Sequence, residues 1–218
     1  MRLVLAAILA AGGLTAAPSA AAQPYDCPPA CDSIPDSAWV PPWSIPLNSQ
    51  YGWPQLAGLA VTSPGPRFRF EEVCVSPPTG LSDPRGYAVA ERALVLNPPG
   101  QWQLQAQVLH WTGETWRGAE LVEQVFAAAV AALRACQQTN PPASPSLTVE
   151  GPDRFAAVIS GPVILHQYLV ANRANSTISE LALWSVGPPL TPWLPVADGT
   201  VLDTLGAPLC TAYIGSCG

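Results

Sequence analysis

The stretch QWQLQAQVLHWTGETWRGAELVEQVFAAAVAALRACQQ, residues 101–138, decides the fold because the period of its apolar residues changes halfway along. In the first half, apolar and polar residues alternate strictly, as in an antiparallel strand with one buried and one solvated face. We therefore expect a strand over 101–111. Its apolar face carries Trp102, Leu104, Ala106, Val108 and His110, and its polar face carries Gln101, Gln103, Gln105 and Gln107.

The second half predicts a long helix over 116–138. Alanines with high helix propensity surround an apolar stripe that recurs every three or four residues. That stripe consists of Val122, Phe126, Val130 and Leu133. Cys136 lies close to the same face, so we expect its side chain to point toward the sheet that the helix covers. The prolines at 141 and 142 end the helix, because proline cannot continue the hydrogen-bond ladder.

The rest of the chain adds strands on both sides of this stretch. Runs of apolar residues separated by turn-forming residues predict further strands and a C-terminal helix over 199–213. This order indicates an α+β fold, in which the long helix and the C-terminal helix pack on one face of an antiparallel sheet. The additional strands are expected over 51–61, 67–75, 87–96, 145–160 with an interruption at Gly151-Pro152, 163–172 and 176–184.

Three segments are predicted along the chain. Residues 1–22 have the short positive start, apolar run and small-residue cleavage site of a secretory signal peptide. Residues 23–50 form a proline-rich arm, which we expect to lie over the core of the domain. The alternative for this arm is an extended segment that binds a partner. Residues 51–218 are expected to form a single α+β domain with the character of a sensor domain.

The amino-acid composition argues against two further classes of protein, nucleic-acid-binding proteins and membrane-spanning proteins. The net charge of −6 argues against binding to nucleic acid, because the phosphate backbone requires clustered positive charge. No apolar run after the signal reaches the ~18 residues that span a bilayer. We therefore expect a secreted protein without a membrane span, located outside the cell or in the cell wall.

Six cysteines follow the predicted cleavage site, and an even number in an exported chain indicates disulfides. The short separations of the outer cysteines favour local bridges, Cys27–Cys31 and Cys210–Cys217, which leaves Cys74–Cys136 as the third pair. Zinc sites need closely spaced cysteine pairs with histidine partners. Such spacing is missing from the sequence, so we expect neither a metal site nor a cofactor.

Several stretches resemble the extracellular sensor domains of mycobacterial receptor kinases of the PknH type and their secreted relatives. They are VLHWTGETWRGAELVEQVFAAAVAALRAC, the hairpin VILHQYLVANRANSTISELALW, the cysteine pair Cys74 and Cys136, and LGAPLCTAY in the terminal helix. The resemblance covers roughly residues 67–215 and implies an antiparallel sheet with helices and a ligand-binding cleft, without catalytic residues. The chain departs from these relatives in having no kinase domain or transmembrane helix, an additional Cys27/Cys31 arm, and a differently placed last bridge.

The candidate site residues are His110, His166, Trp111 and Trp116. The two histidines share apolar strand faces, where a hydrogen-bonded core or cleft-wall role is commoner than catalysis, and both are candidates to line one cavity. The two tryptophans flank the passage from strand to helix, where aromatic side chains often form ligand-binding surfaces. Hydrolase motifs such as G-x-S-x-G are missing, and Glu71 and Glu72 would face opposite ways on a strand.

These observations lead to two functional hypotheses. The first is a non-enzymatic protein of the bacterial cell envelope that binds a ligand or a protein partner in a cleft between sheet and helix. The alternative is an envelope hydrolase whose active site, built around His110 or His166, has no recognisable motif.

Overall fold

The computed structural model describes residues 33–213. Its centre is a seven-stranded antiparallel sheet with the order β1-β2-β3-β7-β6-β5-β4. The α+β class, the antiparallel sheet and the two helices packed on it are as predicted, but the two helices lie on opposite faces of the sheet and not on one. The strands are β1 Val61–Thr62, β2 Val89–Val95, β3 Gln103–His110, β4 Ser144–Glu150, β5 Arg154–Ser160, β6 Val163–Asn172 and β7 Thr177–Val186.

Five helices accompany the sheet within the described residues. The longest, α3, begins at Thr115, one residue after its N-cap Glu114, and carries the apolar stripe inward. Among these helices, none is long and apolar enough to cross a membrane. They are α1 Asn48–Tyr51, α2 Arg69–Val73, α3 Thr115–Arg134, α4 Cys136–Thr139 and α5 Asp198–Ala212.

Both faces of the sheet are buried, whereas the sequence pattern predicted one solvated face. We call the side that carries Leu104 and Leu183 the arm face, because residues 34–56 cover it together with α5. We call the opposite side, which carries Leu109 and Ala182, the helix face, because α2 and α3 cover it. The N-terminal arm therefore supplies core residues from its described part. Those buried residues are Ile34, Ala38, Trp39, Val40, Ile45 and Leu47.

Three predicted strands have a different structure. Within 67–75, residues Arg69–Val73 form α2, because acceptors from the sheet and from Glu71 take the first N–H groups of a helical turn. In 51–61 only the end is a strand, since Gly52 adopts a left-handed φ of 58° and Pro54 follows it. The segment 145–160 is a hairpin of β4 and β5, because the turn at 151–153 reverses the chain.

The predicted disulfide Cys74–Cys136 is present, with the two Cα atoms 4.8 Å apart. Both cysteines are fully buried on the helix face, so the bridge ties the end of α2 to the first residue of α4, two residues after the end of α3. Cys210 on α5 is also disulfide-bonded. Its predicted partner Cys217, the predicted pair Cys27–Cys31 and the predicted signal peptide all lie outside the described residues.

Candidate functional site

The two histidines predicted to line one cavity lie at opposite ends of the arm face. His110 pairs with Thr177 across β3 and β7, whereas His166 pairs with Leu183 across β6 and β7. Thr177 and Leu183 are six residues apart on one strand, which corresponds to about 20 Å. The prediction of a shared cavity is therefore wrong, because the strand register separates the two rings.

Each histidine is packed among aromatic rings. His110 stacks on Tyr213 with 4.8 Å between ring centroids, and its Nδ1 lies 3.0 Å from the Thr177 hydroxyl. His166 stacks on Trp193 at 3.6 Å and meets the edge of Trp102 at 5.6 Å. Burial lowers the pKa of His166 to about 4, and its Nδ1 has no hydrogen-bond partner among residues 33–213. The imidazole is thus neutral at physiological pH.

The two tryptophans also separate. Trp111 is buried on the helix face, where its Nε1 donates to the Pro84 carbonyl. Trp116, in the first turn of α3, is 58% exposed, and the Arg117 guanidinium lies 5.0 Å from its ring. The structure therefore distributes the four predicted site residues over separate places. Within residues 33–213, no cluster of three or more histidine, cysteine or carboxylate side chains has the arrangement of a metal site.

A buried polar cluster on the helix face was not predicted. Its centre is Glu180 on β7, which is fully buried. Its carboxylate accepts hydrogen bonds from the side-chain amides of Gln105 at 3.1 Å, Gln107 at 3.4 Å and Gln167 at 3.1 Å. The glutamine face of β3 is thus an interior face, because Glu180 accepts hydrogen bonds from the amide groups of Gln105 and Gln107.

Glu180 also holds the start of α2. The Arg69 backbone N–H donates to Glu180 at 2.6 Å, and the Phe70 N–H donates to the Gln167 side chain at 3.2 Å. These are two of the N–H groups that a helix leaves without internal partners. Burial raises the pKa of Glu180 to about 7 despite these hydrogen bonds.

A second buried carboxylate fixes the loop before β2. Glu71 accepts from the Phe68 N–H at 2.8 Å and from Arg85 at 2.7 Å, and Arg85 also pairs with Asp83 at 2.8 Å. The Arg85 side chain lowers the pKa of Asp83 by hydrogen bonding. Glu71 and Arg85 therefore anchor structure, and the strand interpretation of Glu71 and Glu72 does not apply.

Beside the polar cluster, the helix face opens into a groove of about 640 Å³, which we call the Trp184 groove. Because β3 lies between β2 and β7, the side chains of Gln103 and Gln105 form its floor. Trp184 and Val186 of β7 form one wall, and β2 with the hairpin after it forms the other. The β2 side is lined by Arg92, Leu94, Leu96, Asn97, Pro99 and Gly100, and Arg69 and Glu72 of α2 close one end.

Arg92 distinguishes this groove electrostatically. Arg69 is paired with Glu72 and stacks over Trp184, with its guanidinium carbon 4.1 Å from the ring centroid. Arg92 is half-buried, and within residues 33–213 no carboxylate lies within 4.0 Å of it. The other described arginines have carboxylate partners, except Arg67, which donates to backbone carbonyls. Arg92 thus presents a positive charge without a counter-ion among residues 33–213.

A second groove, of about 400 Å³, lies between α5 and the ends of β5 and β6. Its charges are neutralised within the chain, because Arg154 pairs with Asp203 at 2.6 Å and with Asp153 at 3.5 Å. Arg173 at its edge pairs with Glu123 at 3.2 Å. Of the two grooves, the Trp184 groove is therefore the better candidate for binding a charged ligand, because it contains an arginine without a carboxylate partner among the described residues.

Sequence reasoning missed the groove because its lining comes from distant parts of the chain. Arg92, Gln103 and Trp184 meet only through strand pairing that places β7 beside β3. The available signal was the run of glutamines at alternate positions of β3, together with a single glutamate in the apolar strand β7.

No protein family, curated protein or solved structure matches this chain.

Proposed function

We propose that this chain is a non-enzymatic, extracytoplasmic ligand-binding protein of the cell envelope, and that the Trp184 groove is its binding site. The observation that carries the proposal is Arg92, a half-buried cation that has no counter-ion among the described residues and lies on the wall of the groove. Burying part of a charge without a partner is unfavourable. An anionic ligand would supply the missing interaction.

The dimensions and lining of the groove support a binding role. Its volume lies within the ~300–1,000 Å³ that small-molecule sites commonly have. Such sites combine apolar walls with a few polar groups, as Leu94, Val186 and the glutamine floor do here. The end of the groove formed by α2 is also preformed, because Glu180 and the Cys74–Cys136 bridge fix α2 against the sheet.

The expected compartment is consistent with this role. The pattern of residues 1–22 is that of a signal peptide, and a buried disulfide is typical of chains that fold in an oxidising compartment. The resemblance to receptor-kinase sensor domains leads to the same expectation of an extracytoplasmic ligand, and it remains a prediction.

The arrangement of the histidines favours binding over hydrolysis. A general base in a hydrolase needs a partner that orients its ring, and in the described part of the chain His166 Nδ1 has none. His110 and His166 are also too far apart to act on one substrate atom, since the strand register separates them by about 20 Å.

Ligand capture tests the proposal. The exported protein would be incubated with a solvent extract of an actinobacterial envelope, washed, and its bound small molecules identified by mass spectrometry. We expect the wild type to retain a compound that Val186→Trp, which fills the groove from an exposed position, does not retain. Leu81→Trp is the matched control, because Leu81 is fully exposed and is not among the residues that line the groove.

Three outcomes would contradict the proposal. One is failure of the wild type to retain any compound. The second is equal retention by the Val186→Trp variant, which would place the site elsewhere. The third is conversion of the captured compound into a product over time, which would favour the hydrolase alternative.

A further inference from the structure

The Trp184 groove changes in character along its length. Arg92 lines one end of it at the level of Gln107, and the Arg69 guanidinium, paired with Glu72, lies on the facing wall over Trp184. At the other end lie Leu96 and Val186, with 67% and 65% of their surfaces exposed, and Leu94 between the two ends is 45% exposed. From Arg92 to Leu96 the strand runs four residues, or about 13 Å. The groove is therefore polar and cationic at one end and aliphatic at the other.

The charged end suits a ligand with a single negative charge. Arg69 and Arg92 bring two positive charges and Glu72 brings one negative charge, which leaves one positive charge in excess. The excess belongs to Arg92, since Arg69 and Glu72 form an ion pair. A carboxylate is planar and accepts two hydrogen bonds from one guanidinium, so it fits the Arg92 side chain.

The aromatic wall does not suit a sugar. Sugar rings stack on exposed aromatic faces, but Trp184 is only 3% exposed and the Arg69 guanidinium occupies one face of its indole. The exposed surface of the groove is instead aliphatic, and aliphatic side chains gain most by covering hydrocarbon.

We infer that the groove binds a single-chain amphiphile that ends in one carboxylate, as a fatty acid does. This inference rests on the proposed function of the Trp184 groove as a ligand site. The carboxylate lies against Arg92, and the hydrocarbon chain runs along β2 over Leu94 and Leu96, opposite Val186. The amides of Gln103 and Gln105 form the floor beneath the chain.

The test is a titration with ligands that vary one feature at a time. Hexanoate, octanoate and decanoate would be titrated calorimetrically below their micelle thresholds, with decanol, decyl phosphate and acetate for comparison. We expect decanoate to bind, acetate not to bind, and affinity to rise roughly two- to fourfold per methylene as apolar surface is covered. Arg92→Gln should weaken decanoate binding at least tenfold and leave decanol binding unchanged.

Two further variants control the experiment. Arg134→Gln removes an exposed arginine on α3 that pairs with Glu150, and it should leave all affinities unchanged. Leu96→Asp should weaken binding of both decanoate and decanol, because it places a charge at the aliphatic end of the groove.

The inference about ligand class is overturned if decanoate fails to bind, if Arg92→Gln binds it as tightly as the wild type, or if decanol or decyl phosphate binds more tightly. In each case the proposed function still stands when the wild type retains an envelope compound that Val186→Trp loses. Failure of both experiments would remove both proposals.

Discussion

The two faces of the sheet are formed by alternate residues of the same strands, yet their interiors differ in chemistry. The arm face is an apolar and aromatic core under residues 34–56 and α5. The helix face contains fully or almost fully buried amides and one carboxylate, connected by hydrogen bonds to one another and to the first turn of α2. A regular alternation of apolar and polar residues can therefore produce two buried faces when a covering element supplies hydrogen-bond partners.

The comparison also separates structure from function. The arm face is covered by residues 34–56 and α5, and the groove beside α5 on this face has its charges paired within the chain, whereas the helix face is closed only where α2 and α3 lie on it. Beyond α2, the same polar strand face continues into the Trp184 groove, where Gln103 and Gln105 form the floor. The polar interior is thus satisfied by the protein at one end, and we propose that a ligand completes it at the other.

The largest effect should come from the disulfide that holds the covering elements of the helix face together. Replacing Cys74 and Cys136 together with alanine should lower the free energy of unfolding by about 4 kcal/mol, because the bridge closes a loop of 62 residues in the unfolded chain. Denaturant unfolding without added reductant measures this loss. Hydrogen exchange should show that the Arg69 and Phe70 amides lose protection before the amides of β6 do.

A loss below about 1 kcal/mol, or an equal loss of protection on both faces, would contradict the role of the bridge as a tie between α2 and α4. The matched control is Leu205→Ala, which removes a fully buried side chain from the arm face. It should destabilise the protein by about 2–5 kcal/mol without selective exposure of the first turn of α2.

The second prediction uses the carboxylate of the helix face. The ordinary pKa of a glutamate is 4.5, and burial raises the pKa of Glu180 to about 7 in the folded chain. Between these values the folded chain binds more protons at this site, so the site lowers the free energy of unfolding as pH rises. Glu180→Gln removes that contribution. Relative to the wild type, the variant should gain about 3 kcal/mol of stability between pH 4.5 and 7, as measured by urea unfolding across this range.

The third prediction concerns the arm face and has the opposite sign. The ordinary pKa of a histidine is 6.5, and burial lowers the pKa of His166 to about 4 in the folded chain. The unfolded chain binds more protons between these values, so the site raises the free energy of unfolding as pH rises. In His166→Phe, whose ring fits between Trp102 and Trp193, stability should fall by about 3 kcal/mol relative to the wild type between pH 4 and 6.5.

The two windows overlap between pH 4.5 and 6.5, where the wild type should show a partial cancellation of the two contributions. The double variant is the internal control, because it should follow the wild type over that overlap. Curves for both single variants that run parallel to the wild type would show that neither site couples its protonation to folding.

Periodicity and cysteine placement were sufficient for the framework. Strict alternation identified β3, the three- and four-residue spacing identified α3, and the central cysteines gave the bridge between Cys74 and Cys136. Periodicity reports which residues share a face, but not what covers that face. Periodicity therefore predicts that the glutamines face solvent. In the structure two of them are buried and donate hydrogen bonds to Glu180, which is more than 70 residues away in the sequence.

The same limit explains the incorrect strand at 67–75 and the missed groove. Phe68 and Phe70 alternate as in a strand, but acceptors on Glu180 and Gln167 stabilise a helical turn there. Local propensity is weak compared with such tertiary hydrogen bonds. The sequence points to histidines and tryptophans as ligand-binding residues because of the chemistry of their side chains, without information on which of them share a surface. The groove is proposed as a binding site on the basis of Arg92, because this arginine has no counter-ion among the described residues. A local sequence pattern cannot reveal that, since it does not show which charges are close in space.

The smallest expected effect is the last test of the comparison. Arg92→Gln should change the free energy of unfolding by no more than about 0.5 kcal/mol in the absence of ligand, since the Arg92 guanidinium has no carboxylate partner within residues 33–213 to lose. Arg85→Gln, under the closed part of the same face, should cost about 3–5 kcal/mol because it leaves the Glu71 carboxylate buried without its cation. Urea unfolding of both variants at pH 7 measures the difference. An arginine that contributes nothing to the free energy of unfolding but lies half-buried in a groove is available to bind a ligand. If Arg92→Gln costs nearly as much stability as Arg85→Gln, Arg92 is a structural residue, and the basis for placing a ligand in the groove is lost.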